Sequence, residues 1–296
     1  MGNAGRVKVR FAFSAMTTAA GGDLAALVDG AEAAGFDSLW FSDLTVLGEV
    51  DPLLAVAYAA ARSTRLHLGV NLVPFGRQPY VLARQLAQLD QLSGGRLLVT
   101  VVPGLGLAEE RAALGVTGAH RGRRIDGILP QLRAWWAGET VEVDGVAVRQ
   151  VVLPRQQPLE VWLGGSGPEA VARAGRLADG WLGSFLTPAD AGRIRRAVQA
   201  AAADAGRTID PEHFGLSIAY ARAAGDLDRV PRRLPRRPGT PTPPPVPVGR
   251  DALRAAVAAL VDEGLSKFVV RPVAPAAGGI DDDLAWAADA LLDLQG

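Results

Sequence analysis

The chain has no cysteine, which excludes disulfides, thiolate metal ligands and cysteine nucleophiles. Histidine is nearly absent as well. His67, His120 and His213 stand far apart, and none has a partner at the i, i+4 spacing that builds a ligand pair, so no metal is expected. Lysine is confined to Lys8 and Lys267; arginine makes up the rest of 31 basic residues, which balance 31 acidic ones. A general nucleic-acid binder would carry a basic excess, so that class is not expected. No apolar run approaches the roughly 18 residues of a membrane-spanning helix. The stretch from Met1 to Arg10 has no apolar core of a secretory leader. A cytoplasmic protein with neither a membrane nor a nucleic-acid partner is the expectation. No pair of carboxylates aligns as acid and base, and Gly165-Ser166-Gly167 lacks the spacers of a nucleophile elbow.

What is present is a rhythm. Hydrophobic residues are 49% of the chain and charged residues 21%. Short apolar or β-branched runs alternate with amphipathic helical stretches, the pattern of repeated βα units around a parallel sheet. Strands are predicted at Val7 to Phe13, Ser38 to Phe41, Leu66 to Val73, Leu97 to Val102, Leu159 to Leu163, Gly180 to Leu182, Phe214 to Tyr220 and Lys267 to Arg271. Between the first two, Leu24, Leu27, Val28 and Ala31 recur at i, i+3, i+4, i+7, and Gly35 supplies the left-handed stop. Length alone allows two average domains, but eight such units predict one α/β domain over residues 1–296, a (β/α)8 TIM barrel with insertions.

Two segments leave the rhythm. In 140–152, Val141, Val143 and Val146 alternate around Asp144-Gly145, a hairpin excursion from the barrel. Residues 226–248 carry eight prolines and five arginines with almost nothing to bury. That composition reads as a surface loop, or alternatively as a basic lid, because it follows the seventh strand and so emerges on the face where barrels react.

The loops leaving the strand C-termini are where chemistry is expected. Asp43 and Leu44 follow the second strand, Asn71 and Leu72 close the third, and Gly104-Leu105-Gly106 follows the fourth. Asp43 suits a cofactor contact or a loop-bracing role equally. The glycines at 104 and 106 permit close approach of a flat ring to the backbone. After the fifth strand, Gly164-Gly165-Ser166-Gly167 runs into a helix opened by Pro168, so backbone N–H groups and the positive helix end point at the mouth, where a phosphate fits. The same stretch also serves as an ordinary βα turn with Ser166 as the cap.

In their joint order these residues resemble the luciferase-like monooxygenase superfamily, and within it the actinobacterial oxidoreductases that use the deazaflavin coenzyme F420. The segments that carry the likeness are Glu32 through Asp43, Thr64 through Val70, Leu89 through Leu97, Arg121 through Arg124, Val161 through Gly165 and Ala178 through Trp181. The resemblance implies an oxidoreductase that moves a hydride between F420 and a small organic substrate. The ring would lie against Asp43, Leu44, Asn71, Leu72 and Gly104 to Gly106, with Asp43 as the catalytic candidate, and the phosphate on Gly164, Gly165, Ser166 and Gly167. A strained, often cis, peptide is expected at Asn71-Leu72. Alternatives are an FMN-dependent monooxygenase served by a flavin reductase, and a barrel that binds the coenzyme without turnover. Homodimer formation also follows from the resemblance. One departure stands out: Leu44 occupies the place where relatives carry histidine, which removes a proton donor.

Overall fold

A computed structural model describes residues 8–15, 22–116, 121–229 and 244–296. Its elements alternate strand and helix. They run β1 (Arg10–Phe13), α1 (Gly22–Ala34), β2 (Ser38–Ser42), α2 (Pro52–Arg62), β3 (His67–Leu72), α3 (Pro79–Leu92), β4 (Leu97–Val101), α4 (Ala108–Ala113) and α5 (Arg121–Trp136). There follow β5 (Thr140–Val143), β6 (Val146–Arg149), β7 (Val161–Gly164), α6 (Pro168–Leu177), β8 (Gly180–Ser184), α7 (Pro188–Asp204), β9 (Phe214–Tyr220), α8 (Arg250–Asp262), β10 (Lys267–Pro272) and α9 (Ile280–Leu291). Eight parallel strands close a barrel in the order β1-β10-β9-β8-β7-β4-β3-β2. The pair β5 and β6 forms a separate antiparallel hairpin turned at Asp144-Gly145, both in the left-handed region.

Local chemistry sets the helix starts. Proline opens α2, α3, α6 and α7, where its missing N–H removes no helical bond. Asp51 caps α2 by accepting from the Leu53 N–H at 2.9 Å, and Thr187 caps α7 from the Asp190 N–H at 3.1 Å.

Strand alternation sorts the side chains into two cores. Phe11, Leu39, Leu68, Val99, Val161, Trp181, Leu216 and Phe268 are buried outward, against the helices. Ala12, Trp40, Leu182 and Val269 form the inward layer, with Leu98 and Trp162 packed on it. The two tryptophans need glycine opposite: a Cβ on Gly69 would lie 2.2 Å from the Trp40 ring, and one on Gly180 would lie 2.4 Å from Trp162. The barrel is thereby plugged midway by large apolar groups, and this plug is the floor on which the mouth is built.

Candidate functional site: the C-terminal mouth

Above the plug, the next inward position of six of the eight strands changes character. Trp40 is followed by Ser42, Gly69 by Asn71 and Leu98 by Thr100. Likewise Trp162 is followed by Gly164, Leu182 by Ser184 and Val269 by Arg271. The registers Ser42 with Asn71 and Asn71 with Thr100 set three of these side by side, and the Asn71 amide donates to the Ser42 hydroxyl at 3.2 Å. Small polar groups over an apolar floor supply hydrogen-bonding groups that can orient a ligand. Thr100 is fully buried, and its hydroxyl has no hydrogen-bond partner among the described residues.

Asp43 is 7% exposed and braces this rim. Its N–H donates to the Asn71 carbonyl at 2.9 Å. Its carboxylate accepts from the Val73 N–H at 3.2 Å, the Thr45 hydroxyl at 3.2 Å and the Arg77 guanidinium at 3.3 Å. Arg77 also binds Asp51 at 2.8 Å, which ties the ends of β2 and β3 to the cap of α2. Burial pushes the Asp43 pKa above the ordinary carboxylate value, with Arg77 and the Val73 N–H pulling partly against it. Of the two roles open to Asp43, these bonds are those of the brace. Leu44 follows, half-buried beside the mouth, and its N–H returns to the Ser42 carbonyl at 3.0 Å.

After β4 the chain turns through Gly104 and Gly106, both at positive φ, 72° and 83°. The N–H groups of Leu105 and Gly106 donate to the Glu110 carboxylate at 3.1 and 2.6 Å, and Glu110 is 1% exposed. A Cβ on Gly104 would meet that carboxylate at 2.8 Å. These two donors are thus spent within the loop, and Gly104 to Gly106 offer a close backbone surface instead of free amides.

The turn after β7 differs. Gly165 has φ 117°, a Cβ on Gly164 would meet Val102 at 3.0 Å, and the Trp181 indole donates to the Gly165 carbonyl at 2.9 Å. Gly167, not Ser166, is the N-cap of α6, and no side chain caps it. The α6 terminus therefore keeps uncapped donors at the mouth. Its first turn also holds Glu169, which is exposed.

Asp43, Leu44, Asn71, Gly104 to Gly106 and Gly164 to Gly167 all stand at strand C-termini on one end of the barrel. One expectation fails. The peptide Asn71-Leu72 is not cis; the cis bond in the described chain is Gln157-Pro158. Asn71 and Leu72 pair regularly with Thr100 and Val101, and the Val102 N–H donates to the Leu72 carbonyl at 2.9 Å, so trans geometry completes the ladder. The Leu72 side chain is fully buried in the outward core, which leaves only its main chain at the mouth. The lid expected over 226–248 has its centre, residues 230–243, outside the described residues. Asp226 to Arg229 end a 3-10 helix, and Val248 bridges Ala221.

Glu110 entered the sequence reading only as part of the family resemblance, without a role, and Arg77, Thr100 and Arg271 were not singled out. Arg271 was the most legible, since alternation along β10 from inward Val269 sends it into the mouth. Burial lowers its pKa from the ordinary arginine value, and Glu49 on the loop after β2 pulls partly back. Among the described residues no group of three acids or histidines is placed to hold a metal, and no helix is long and apolar enough to cross a membrane.

With this geometry in view, the comparison with known proteins decides the family. Residues 7–248 match the family model described as luciferase-like monooxygenase. The chain belongs to that family. Its relatives include the F420-dependent glucose-6-phosphate dehydrogenase of Beutenbergia cavernae, 36% identical over 54% of this chain and 52% of that one. The chain spans between about two-fifths and three-fifths of the length of the curated relatives it matches. Among solved structures, an F420-dependent secondary alcohol dehydrogenase in complex with an F420-acetone adduct superposes with TM-score 0.79, at 16% identity, over 98% of this chain and 100% of that one. The monooxygenase RslO1 from Streptomyces bottropensis superposes with TM-score 0.76, at 21% identity, over 96% and 99%. At those identities the likeness is one of fold.

Proposed function

We propose that this luciferase-like protein is an oxidoreductase that binds coenzyme F420 across the C-terminal mouth and acts on a small organic substrate held above it. The observation that carries the reading is the change of inward side chains from the Trp40 and Trp162 plug to Ser42, Asn71, Thr100, Gly164 and Ser184, in a chain of the luciferase-like monooxygenase family with relatives named as F420-dependent. The residues fit a flat, phosphate-bearing group. A Cβ on Gly164 would crowd Val102, the buried Thr100 hydroxyl has no partner among the described residues, and no side chain caps the α6 terminus.

When bound, the deazaflavin would supply hydride chemistry at C5. The chain's own residues would supply position and exclusion of water. In this reading Gly164 to Gly167 hold the phosphate, Gly104 to Gly106 give the ring a close backbone wall, and Leu44 adds an apolar one. Asp43 acts by fixing the ends of β2 and β3. Leu44 carries no proton, so a proton leaving or joining the substrate would pass to water or to another polar group at the mouth.

The FMN-dependent alternative would need a flavin reductase as partner; it is favoured only by the likeness in fold to monooxygenases such as RslO1. A cytoplasmic location belongs to the proposal, as does a homodimer formed through Leu54, Tyr58 and Val81, which are exposed on the neighbouring helices α2 and α3. The test of the activity is incubation with oxidised or reduced F420 and a panel of small alcohols, aldehydes and ketones, following coenzyme absorbance. Turnover with any of them is the expected result, and coenzyme binding without turnover across the panel would leave a binding barrel instead.

A further inference from the structure

Resting on that reading, we infer that Arg271 anchors the reacting molecule through an oxyanion, so that the substrate class is a small carboxylate or phosphate ester. Arg271 lies at the C-terminal end of β10, on the inward side set by Val269, level with the polar rim. Among the described residues it takes part in no hydrogen bond and no ion pair.

Other arginines near this end of the molecule are spoken for. Arg222 pairs with Asp283, Arg250 with Asp289 at 2.7 Å and Arg77 with both Asp43 and Asp51. Those three are tied into structure, whereas Arg271 has been taken out of much of its water without receiving a hydrogen-bond or ion-pair partner among the described residues. Glu49, on the loop after β2, is the acid whose field reaches it and partly offsets the effect of burial. A guanidinium remains charged at any working pH, and its planar fork matches the two oxygens of a carboxylate or phosphate. Desolvating such a group without pairing it is costly, so an arginine so placed is suited to a partner that arrives from solution.

The surroundings favour a small anion. The polar inward rim groups on the other strands, Ser42, Asn71, Thr100 and Ser184, are neutral and able to donate hydrogen bonds, and Gly164 and Ala219 carry no charge, so no strand side chain on that ring repels negative charge. The oxyanion could come from the substrate or from the coenzyme's own phosphate tail, and the two sources give different outcomes.

The test uses wild type, Arg271→Lys and Arg271→Gln in two arms. In the first, protein without coenzyme is titrated with acetate and with inorganic phosphate at constant ionic strength. Binding is followed by the 15N resonance of the Arg271 Nε–H, assigned by its loss in the variants, and by calorimetry. In the second, wild type and Arg271→Gln are titrated with F420. Saturable movement of the Arg271 resonance, at least about tenfold weaker anion binding in Arg271→Gln and partial rescue in Arg271→Lys are expected, with F420 affinity unchanged within about twofold. An Arg271 resonance unmoved by both anions overturns the inference, and this readout needs no variant to fold. A tenfold loss of F420 affinity in Arg271→Gln also overturns it, because the arginine would then serve the coenzyme. If wild type responds to the anions at Arg271 but binds no F420, the anion site stands and the coenzyme reading falls.

Discussion

Replacing Gly167 with aspartate separates the folding of the α6 turn from its proposed use. Gly167 has φ −77° and ψ 159°, no side chain caps the helix, and an added Cβ would meet nothing within 4 Å. An L-residue therefore fits without strain. Aspartate is among the preferred caps and gains a few tenths of a kcal/mol over glycine. Its charge at the helix N-terminus adds about 0.3–1 kcal/mol. The protein without coenzyme is thus expected to become more stable by roughly 0.5–1 kcal/mol. Coenzyme binding should move the other way. A carboxylate about 5 Å from a phosphate repels it by roughly 3 kcal/mol at an effective dielectric constant of 20, and by about 1 kcal/mol in a water-like one. The turn is half-buried, so F420 affinity should fall by roughly 5- to 150-fold, less at high salt. Gly167→Asn, a neutral cap, should stabilise similarly and spare affinity. Urea unfolding and fluorescence titration at low and high salt read the two effects. A stabilised Gly167→Asp with wild-type affinity would place the phosphate elsewhere. Gly165→Asp is a poorer probe, because φ 117° and a Cβ 2.8 Å from that of Ala170 would distort the turn itself.

Three further outcomes are expected. Because burial raises the Asp43 pKa, the folded state holds that proton more tightly than the unfolded chain, and the stability linked to it is lost as pH rises from about 3.8 through the higher folded value. The stability of wild type relative to Asp43→Asn should therefore decrease with pH over that window in urea unfolding; an increase would mean that the Arg77 pair outweighs burial. Glu110→Ala should cost about 2 kcal/mol in denaturant unfolding by orphaning the Leu105 and Gly106 amides, with a smaller loss in Glu110→Gln; unchanged stability in Glu110→Ala would show that water replaces the carboxylate. Leu44→Ala should weaken F420 binding by about 1 kcal/mol while leaving the pH profile of turnover alone, and a shifted profile with intact affinity would assign this position to proton delivery.

Much of this was legible in the chain because two periodicities carry it. The eight strands follow from apolar runs bounded by glycine and proline, and their alternation fixes which residues face the mouth. The strand ends at Asp43, Asn71, Gly104 and Gly164 were accessible for the same reason. The roles of individual groups were not, because they depend on contacts between residues distant in sequence. Asp43 became a brace only when Arg77 and Val73 came within reach, and the Leu105 and Gly106 amides were lost to a carboxylate from the next helix. Leu72 shows the converse: alternation from Asn71 already sends its side chain outward, so any contact it makes at the mouth is through its main chain.

The most direct test of the account is a fluorescence titration of the purified protein with F420 and, separately, with FMN, each repeated with Gly167→Asp. The account predicts saturable binding of F420, tighter than FMN and weakened by the aspartate. Tighter binding of FMN, or no binding of either, would contradict it.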